Sequence, residues 1–339
     1  MQFHKIKYDH PFDFEAGGRL DSIDIAYHTS PREYKKGEKV VWICHALTAN
    51  SDPEEWWPTL VGEGKLIDPA KYYVVCVNML GSPYGTSGPA SINPKTGKPF
   101  FFDFPAVTVR DIVNAMIIIR KRLGIEHIDF MVGSSIGGYQ AIEWAVMEPD
   151  VIRKTVFMAT AARSSAYLVA YEETQRMALE ADQTFREAKS LDGGKAGLGC
   201  ARTIALISYR CYDGYNYKQM DPDPDTLFAK RACSYQQHQA EKFVQRFDAY
   251  SYWYLANSLD SHNIGRGRGG LDAALAMIKA DVTVVSIDQD CIFPPSHLEM
   301  IAGKIPGAKY IEIHSIFGHD GFLLETEQIT NIFRPLLED

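Results

Sequence analysis

The chain has 339 residues, 46% of them hydrophobic and 23% charged, with a formal net charge of −8. This is the balance of an ordinary water-soluble globular protein; it argues against general binding to nucleic acid or anionic membranes but leaves room for a local basic pocket. No apolar run is long enough to span a bilayer, and the N-terminal MQFHKIKYDHPFDFE lacks the apolar core of a signal peptide.

Six cysteines, at 44, 76, 200, 211, 233 and 291, lack CxxC spacing, which predicts reduced thiols, no zinc site and a cytoplasmic setting. Along the chain, SIDIAYHT (22–29) alternates as a half-buried strand does. KVVWICHA (39–46) and KYYVVCVNM (71–79) are continuous apolar runs, the mark of buried parallel strands. FFDFPAVTVRDIVNAMIIIRKRLGI (101–125) turns helical, with Ile112, Ala115, Met116 and Ile119 on one face. A strand (127–135), a helix (138–149) and a strand (151–160) follow.

Alternating strands and helices predict an α/β fold with a parallel sheet flanked by helices. The rhythm stops between about 161 and 273, where segments such as 167–181 and 200–212 pattern as helices. It returns with DVTVVSI (281–287) and KYIEIHSI (309–316). The expected organisation is a core of residues 1–160 and 274–339, interrupted by a helical lid at 161–273. The GRGRGG run (265–270) is the expected hinge or exit loop.

Gly133-Ser134-Ser135-Ile136-Gly137 fits G-x-S-x-G only with Ser135 at the centre, after a strand and before a helix. The sharp turn needs small flanking residues, and the helix that follows offers a free N–H to a developing oxyanion. Ser134 would face the wrong side of the turn. A serine needs a base, and the base an orienting acid, in the chain order Ser, Asp or Glu, His. Asp288 and Asp290 end one late strand, and His319 follows another. Asp290 lies beyond the strand end and Asp288 at its edge. His319 stands beside Gly318, whereas His314 alternates within a strand and reads as structural. The loop ICHALTAN (43–50) is the expected source of a second oxyanion donor, with the Leu47 backbone N–H paired to that of Ile136. His45 precedes the serine, so it reads as a brace for this loop.

Several stretches together resemble one family, homoserine O-acetyltransferase, of the α/β-hydrolase fold. They are HALTAN (45–50), NMLGSPYGTSGPASINPKTGKPF (78–100), DFPAVTVRDIV (103–113), GSSIGGYQAIEWA (133–145), ATAARSSA (159–166), GLGCARTIALISYR (197–210), KFVQRFDAYSY (242–252), SHNIGRGRGG (261–270), IDQDCIFPP (287–295) and GHDGFLLE (318–325). The resemblance implies the α/β-hydrolase fold and a triad of Ser135, Asp290 and His319. It implies that Arg202 holds an amino-acid carboxylate, that Tyr209 is its lid companion, and that Asp320 receives the substrate ammonium. It further implies acetyl-CoA as acyl donor, L-homoserine as acceptor, no permanently bound cofactor and a homodimer formed through the lid.

The implied reaction is ping-pong, through an acyl-serine in a site closed to water. The sequence departs from the common family pattern at Ser134, Ile136, Thr48-Ala49-Asn50 and Pro83. Of these, Ile136 contributes only its backbone N–H, and the others are expected to line or border the acyl pocket. They leave a succinyl donor or a serine acceptor open as alternatives within the family. A plain esterase or thioesterase is the alternative outside it, and Arg202 with Asp320 speaks against that.

Overall fold

The computed structural model describes residues 1–338; residue 339, the last of the expected core segment, lies outside them. Eight strands form one sheet. They are β1 (Gln2–Tyr8), β2 (Ile23–Thr29), β3 (Val40–Cys44), β4 (Tyr73–Val77), β5 (Ile128–Ser134), β6 (Ile152–Met158), β7 (Asp281–Ile287) and β8 (Lys309–Ile313). In space they run β1-β2-β4-β3-β5-β6-β7-β8. β1 pairs antiparallel with β2, and β2 antiparallel with β4. Every other pairing is parallel.

Every residue of β3 and β4 is buried, as expected of strands covered on both faces. Their side chains divide between two apolar layers. Val40, Trp42 and Cys44 enter one, and Val41 and Ile43 the other. The longer helices outside the insertion are α1 (Val109–Arg122), α2 (Ile136–Met147), α7 (Pro295–Lys304) and α8 (Thr326–Glu338). Trp144 of α2 meets Trp42 of β3 edge-on at 4.8 Å, locking helix to sheet.

Between β6 and β7 the chain leaves the sheet for an inserted helical region. Its longer helices are α3 (Ala166–Ala181), α4 (Lys195–Tyr209), α5 (Arg231–Val244) and α6 (Ala249–Asp260). α4 packs against α3 and α5, and α6 against α3. The return segment, the expected hinge or exit loop, is paired to the core. Arg266 pairs with Glu15 at 2.8 Å, and Arg268 with the buried Glu143 at 2.5 Å.

One expectation is corrected. Residues 101–125 are not one helix. Phe101–Asp103 is a short 3₁₀ turn, and Pro105 then separates it from α1, since proline disfavours helix in the residue before it. α1 is capped by Thr108, whose side chain accepts from the Asp111 amide in a reciprocal capping box. β1, which the sequence pattern does not predict, is an edge strand that is only half-buried or exposed along its length; it carries no apolar run that could announce it.

Candidate active site

Parallel strands deliver their following loops to one edge of the sheet, where ligands bind in such folds. The loops after β3, β5, β7 and β8 meet there. Ser135, directly after β5, has φ 59° and ψ −130°. A non-glycine residue at positive φ costs energy and persists only where its surroundings fix it. Here the Ser135 N–H donates to Ala159 O at 3.1 Å. Its carbonyl accepts from Gly138 N–H and from the Thr160 hydroxyl, both at 2.9 Å.

The glycines of the motif exist for close approach. A Cβ on Gly133 would lie 2.1 Å from the Gly137 carbonyl oxygen, and one on Gly137 would lie 2.1 Å from that of Cys44. Ser134 ends β5 in the sheet's interior. Its hydroxyl is buried without a partner, and only Ser135 of the two reaches the cavity.

His319 lies in a one-turn 3₁₀ segment, Gly318–Asp320, and is 3% exposed. Its Nδ1 is 2.6 Å from Asp290 Oδ2. Asp290 Oδ1 accepts from the Ile292 and Phe293 amides, each at 2.9 Å. Two amide donors and an imidazole N–H therefore hold the acid, and the acid fixes the ring's tautomer. The rings of Tyr209, Phe293 and Phe322 surround the imidazole at 5.3–5.7 Å. The rival pair lies outside this arrangement. His314 bonds Asp288 at 2.5 Å with 68% of its side chain exposed.

The loop after β3 lies across from Ser135, and Leu47 lines the same cavity. His45 braces this loop. Its Nδ1 donates to Ala46 O at 2.9 Å, and its Nε2 accepts from the Met79 amide at 3.2 Å. Burial pushes its pKa down to about 4, so the ring stays neutral with Nδ1 protonated. Ile136 opens α2, where a first-turn N–H has no partner within the helix.

Ser135, His319, Leu47, Arg202, Tyr209 and Asp320 all line one cavity of about 470 Å³. Arg202 and Tyr209 stand two turns apart on α4, hence on one face. The Arg202 guanidinium lies 5.0 Å from the Phe243 ring centre and 6.0 Å from that of Tyr209. Its Nε–H is buried without a partner. Burial pushes the Tyr209 hydroxyl well above its ordinary pKa, so it stays a neutral donor. Asp320 is not free, because Arg210 from the inserted region pairs with it.

Sequence reasoning missed Arg246, Tyr84, Glu55 and Trp56, which also line the cavity. Arg246 and Tyr84 fall in stretches noted for resemblance, but nothing local gives them a role. Of the residues expected to line or border the pocket, two do not line the cavity itself. Ser134 is buried below the turn, and Pro83 lines a separate groove with Lys5 and Ile92. Thr48, Ala49 and Asn50 do line the cavity.

The α/β hydrolase fold family matches residues 39–326, and the sheet order and serine turn place the chain in that class. The homoserine O-acetyltransferase of Cyclobacterium marinum is 39% identical over 320 residues, covering 94% of this chain and 91% of that protein. The chain belongs to the homoserine O-acetyltransferase family. The crystal structure of homoserine O-acetyltransferase from Bacillus anthracis superposes with a TM-score of 0.91 at 24% identity, covering 100% of this chain and 99% of that one. Esterase E22 superposes with a TM-score of 0.88 at 23% identity, covering 99% of this chain and 100% of that one. At such identities the likeness is one of fold, shared by transferases and esterases alike.

Proposed function

We propose that this protein moves the acetyl group of acetyl-CoA to the γ-hydroxyl of L-homoserine through an acyl-Ser135 intermediate. One observation carries the reading. The cavity that holds Ser135 and His319 also holds Arg202, Tyr209 and Asp320. A cation with a spare buried donor and a carboxylate suit the two charged ends of an amino acid. An enzyme using water as acceptor has no need of them.

In the first half-reaction His319 Nε2 takes the Ser135 Oγ proton as Oγ attacks the thioester carbonyl. The Leu47 and Ile136 N–H groups hold the oxyanion. The C–S bond breaks, and the thiolate leaves with the proton from His319. In the second, homoserine seats its carboxylate on Arg202 and its ammonium on Asp320, whose second oxygen is not the one Arg210 holds. His319 takes the γ-hydroxyl proton, that oxygen attacks the acyl carbonyl, and Ser135 Oγ recovers the proton as its ester bond breaks. The helical region acts as a lid that limits water at the acyl-serine.

The inserted region also exposes Tyr167, Met177, Ile207, Tyr212, Leu227 and Phe228. Such a collection of large apolar side chains favours a homodimer formed through this region. All six cysteines are free, which suits a cytoplasmic enzyme.

The test is CoA release from acetyl-CoA or succinyl-CoA, each offered with homoserine or serine. The reading expects fast turnover only with acetyl-CoA and homoserine; preference for another pair would reassign donor or acceptor.

A further inference from the structure

The oxyanion loop is tied to the inserted region by one side chain. Arg246 lies in the short link between α5 and α6 and lines the cavity. Its Nη1 donates to Thr48 O at 2.6 Å and to the Tyr84 hydroxyl at 2.5 Å. Its guanidinium packs on the Phe243 ring at 5.0 Å. Arg202 lies at the same distance from that ring, so one aromatic side chain seats both cavity arginines.

The bond to Thr48 begins a chain of peptide groups. A trans peptide points its N–H opposite to its carbonyl, and the protein has no cis bonds among the described residues. The Thr48 carbonyl shares a peptide with the Ala49 N–H, which donates to Ala46 O at 3.1 Å. The Ala46 carbonyl shares a peptide with the Leu47 N–H, which is thereby aimed away from it. The order runs from the Arg246 cation to Thr48 O, from Ala49 N–H to Ala46 O, and on to Leu47 N–H. Hydrogen bonds in series polarise one another, and a cation at the head strengthens each donor downstream. Ala46 O also accepts from His45 Nδ1, which fixes the plane of the last peptide.

We propose that Arg246 is a positioning residue for acyl transfer: it orients and polarises the Leu47 N–H and so couples the inserted region to the oxyanion site. The proposal rests on the reading of Leu47 as an oxyanion donor. Arg246 acts through two peptide groups and need not touch the reacting atoms. Its removal weakens a donor without deleting it, so the expected loss is smaller than the 10²–10³-fold typical of a deleted donor.

The test is rapid-mixing measurement of Ser135 acylation by acetyl-CoA in Arg246→Met and Arg246→Lys, with Ser135→Ala alongside. The proposal expects roughly a 10- to 100-fold fall in the acylation rate constant for Arg246→Met, at saturating acetyl-CoA. The KM for acetyl-CoA should change little, and added guanidinium ion at non-denaturing concentration should restore part of the rate. Arg246→Lys, which keeps the charge, should fall in between, and it serves as the probe if the Met variant does not fold. An unchanged rate constant, or a loss confined to the acetyl-CoA KM, would overturn it; the second would make Arg246 a donor contact. Full acylation of Ser135→Ala would instead defeat the reading of the site itself.

Discussion

Asp320, the residue after His319, is paired with Arg210 from the end of α4. The pair joins the inserted region to the loop that carries His319, the proposed base, and it holds the carboxylate at the cavity wall. If that carboxylate receives the acceptor's ammonium, Asp320→Asn removes a charge-assisted bond worth roughly 1.5–3 kcal/mol. The KM for homoserine should rise about 10- to 100-fold, with the KM for acetyl-CoA nearly unchanged. Steady-state kinetics with each substrate varied in turn checks this.

Arg202 is the other half of the proposed zwitterion site. Lysine keeps the charge but loses the planar fork that a carboxylate accepts bidentately. Arg202→Lys should therefore raise the homoserine KM by a similar factor while the burst of CoA on first acylation keeps its amplitude. A loss of burst amplitude would place Arg202 in the first half-reaction instead.

The two adjacent serines should separate cleanly. Ser135→Ala should abolish CoA release, whereas Ser134→Ala should leave it intact. The Ser134 hydroxyl is buried without a partner, and deleting an unsatisfied polar group is neutral or stabilising. Thermal melting of Ser134→Ala should match the parent or exceed it, by up to about 1 kcal/mol in stability.

Glu172 on α3 gives a pH-dependent prediction. It is buried, bonded through Oε1 to Gln175 Nε2 at 3.3 Å, with Oε2 unpartnered. Burial pushes its pKa up to about 8. A carboxyl whose folded pKa exceeds its unfolded value stabilises the fold while protonated. Stability is therefore lost as pH rises from the unfolded value, near 4.5, to about 8, and levels off above that. Glu172→Gln should melt like the parent at pH 4 and higher than the parent at pH 8–9. Equal melting temperatures across the range would contradict the buried-acid assignment.

Much of the proposed site could be read from the sequence because its signals are local. The serine turn needs glycines at fixed offsets from Ser135, and the proposed acid and base each follow a late strand, DVTVVSI and KYIEI. Leu47 and Ile136 follow from the same strand ends. What the sequence hides is convergence from distant places. Arg246 reaches Thr48 across nearly two hundred residues, and Arg210 meets Asp320 through a fold that no periodicity encodes. β1 was hidden for the opposite reason, since an edge strand buries too little to leave a pattern. The break at Pro105 was legible in principle, but the helical spacing of the residues after it extended the predicted helix too far.

The central claim is that an acyl group waits on Ser135 for an amino-acid hydroxyl. Rapid mixing of the protein with acetyl-CoA alone should release one CoA per active chain and then nearly stop, with the acetyl group on the peptide carrying Ser135. Adding homoserine should restart release at the full turnover rate. Continuous CoA release without any acceptor, or a burst that homoserine does not discharge, would contradict the account.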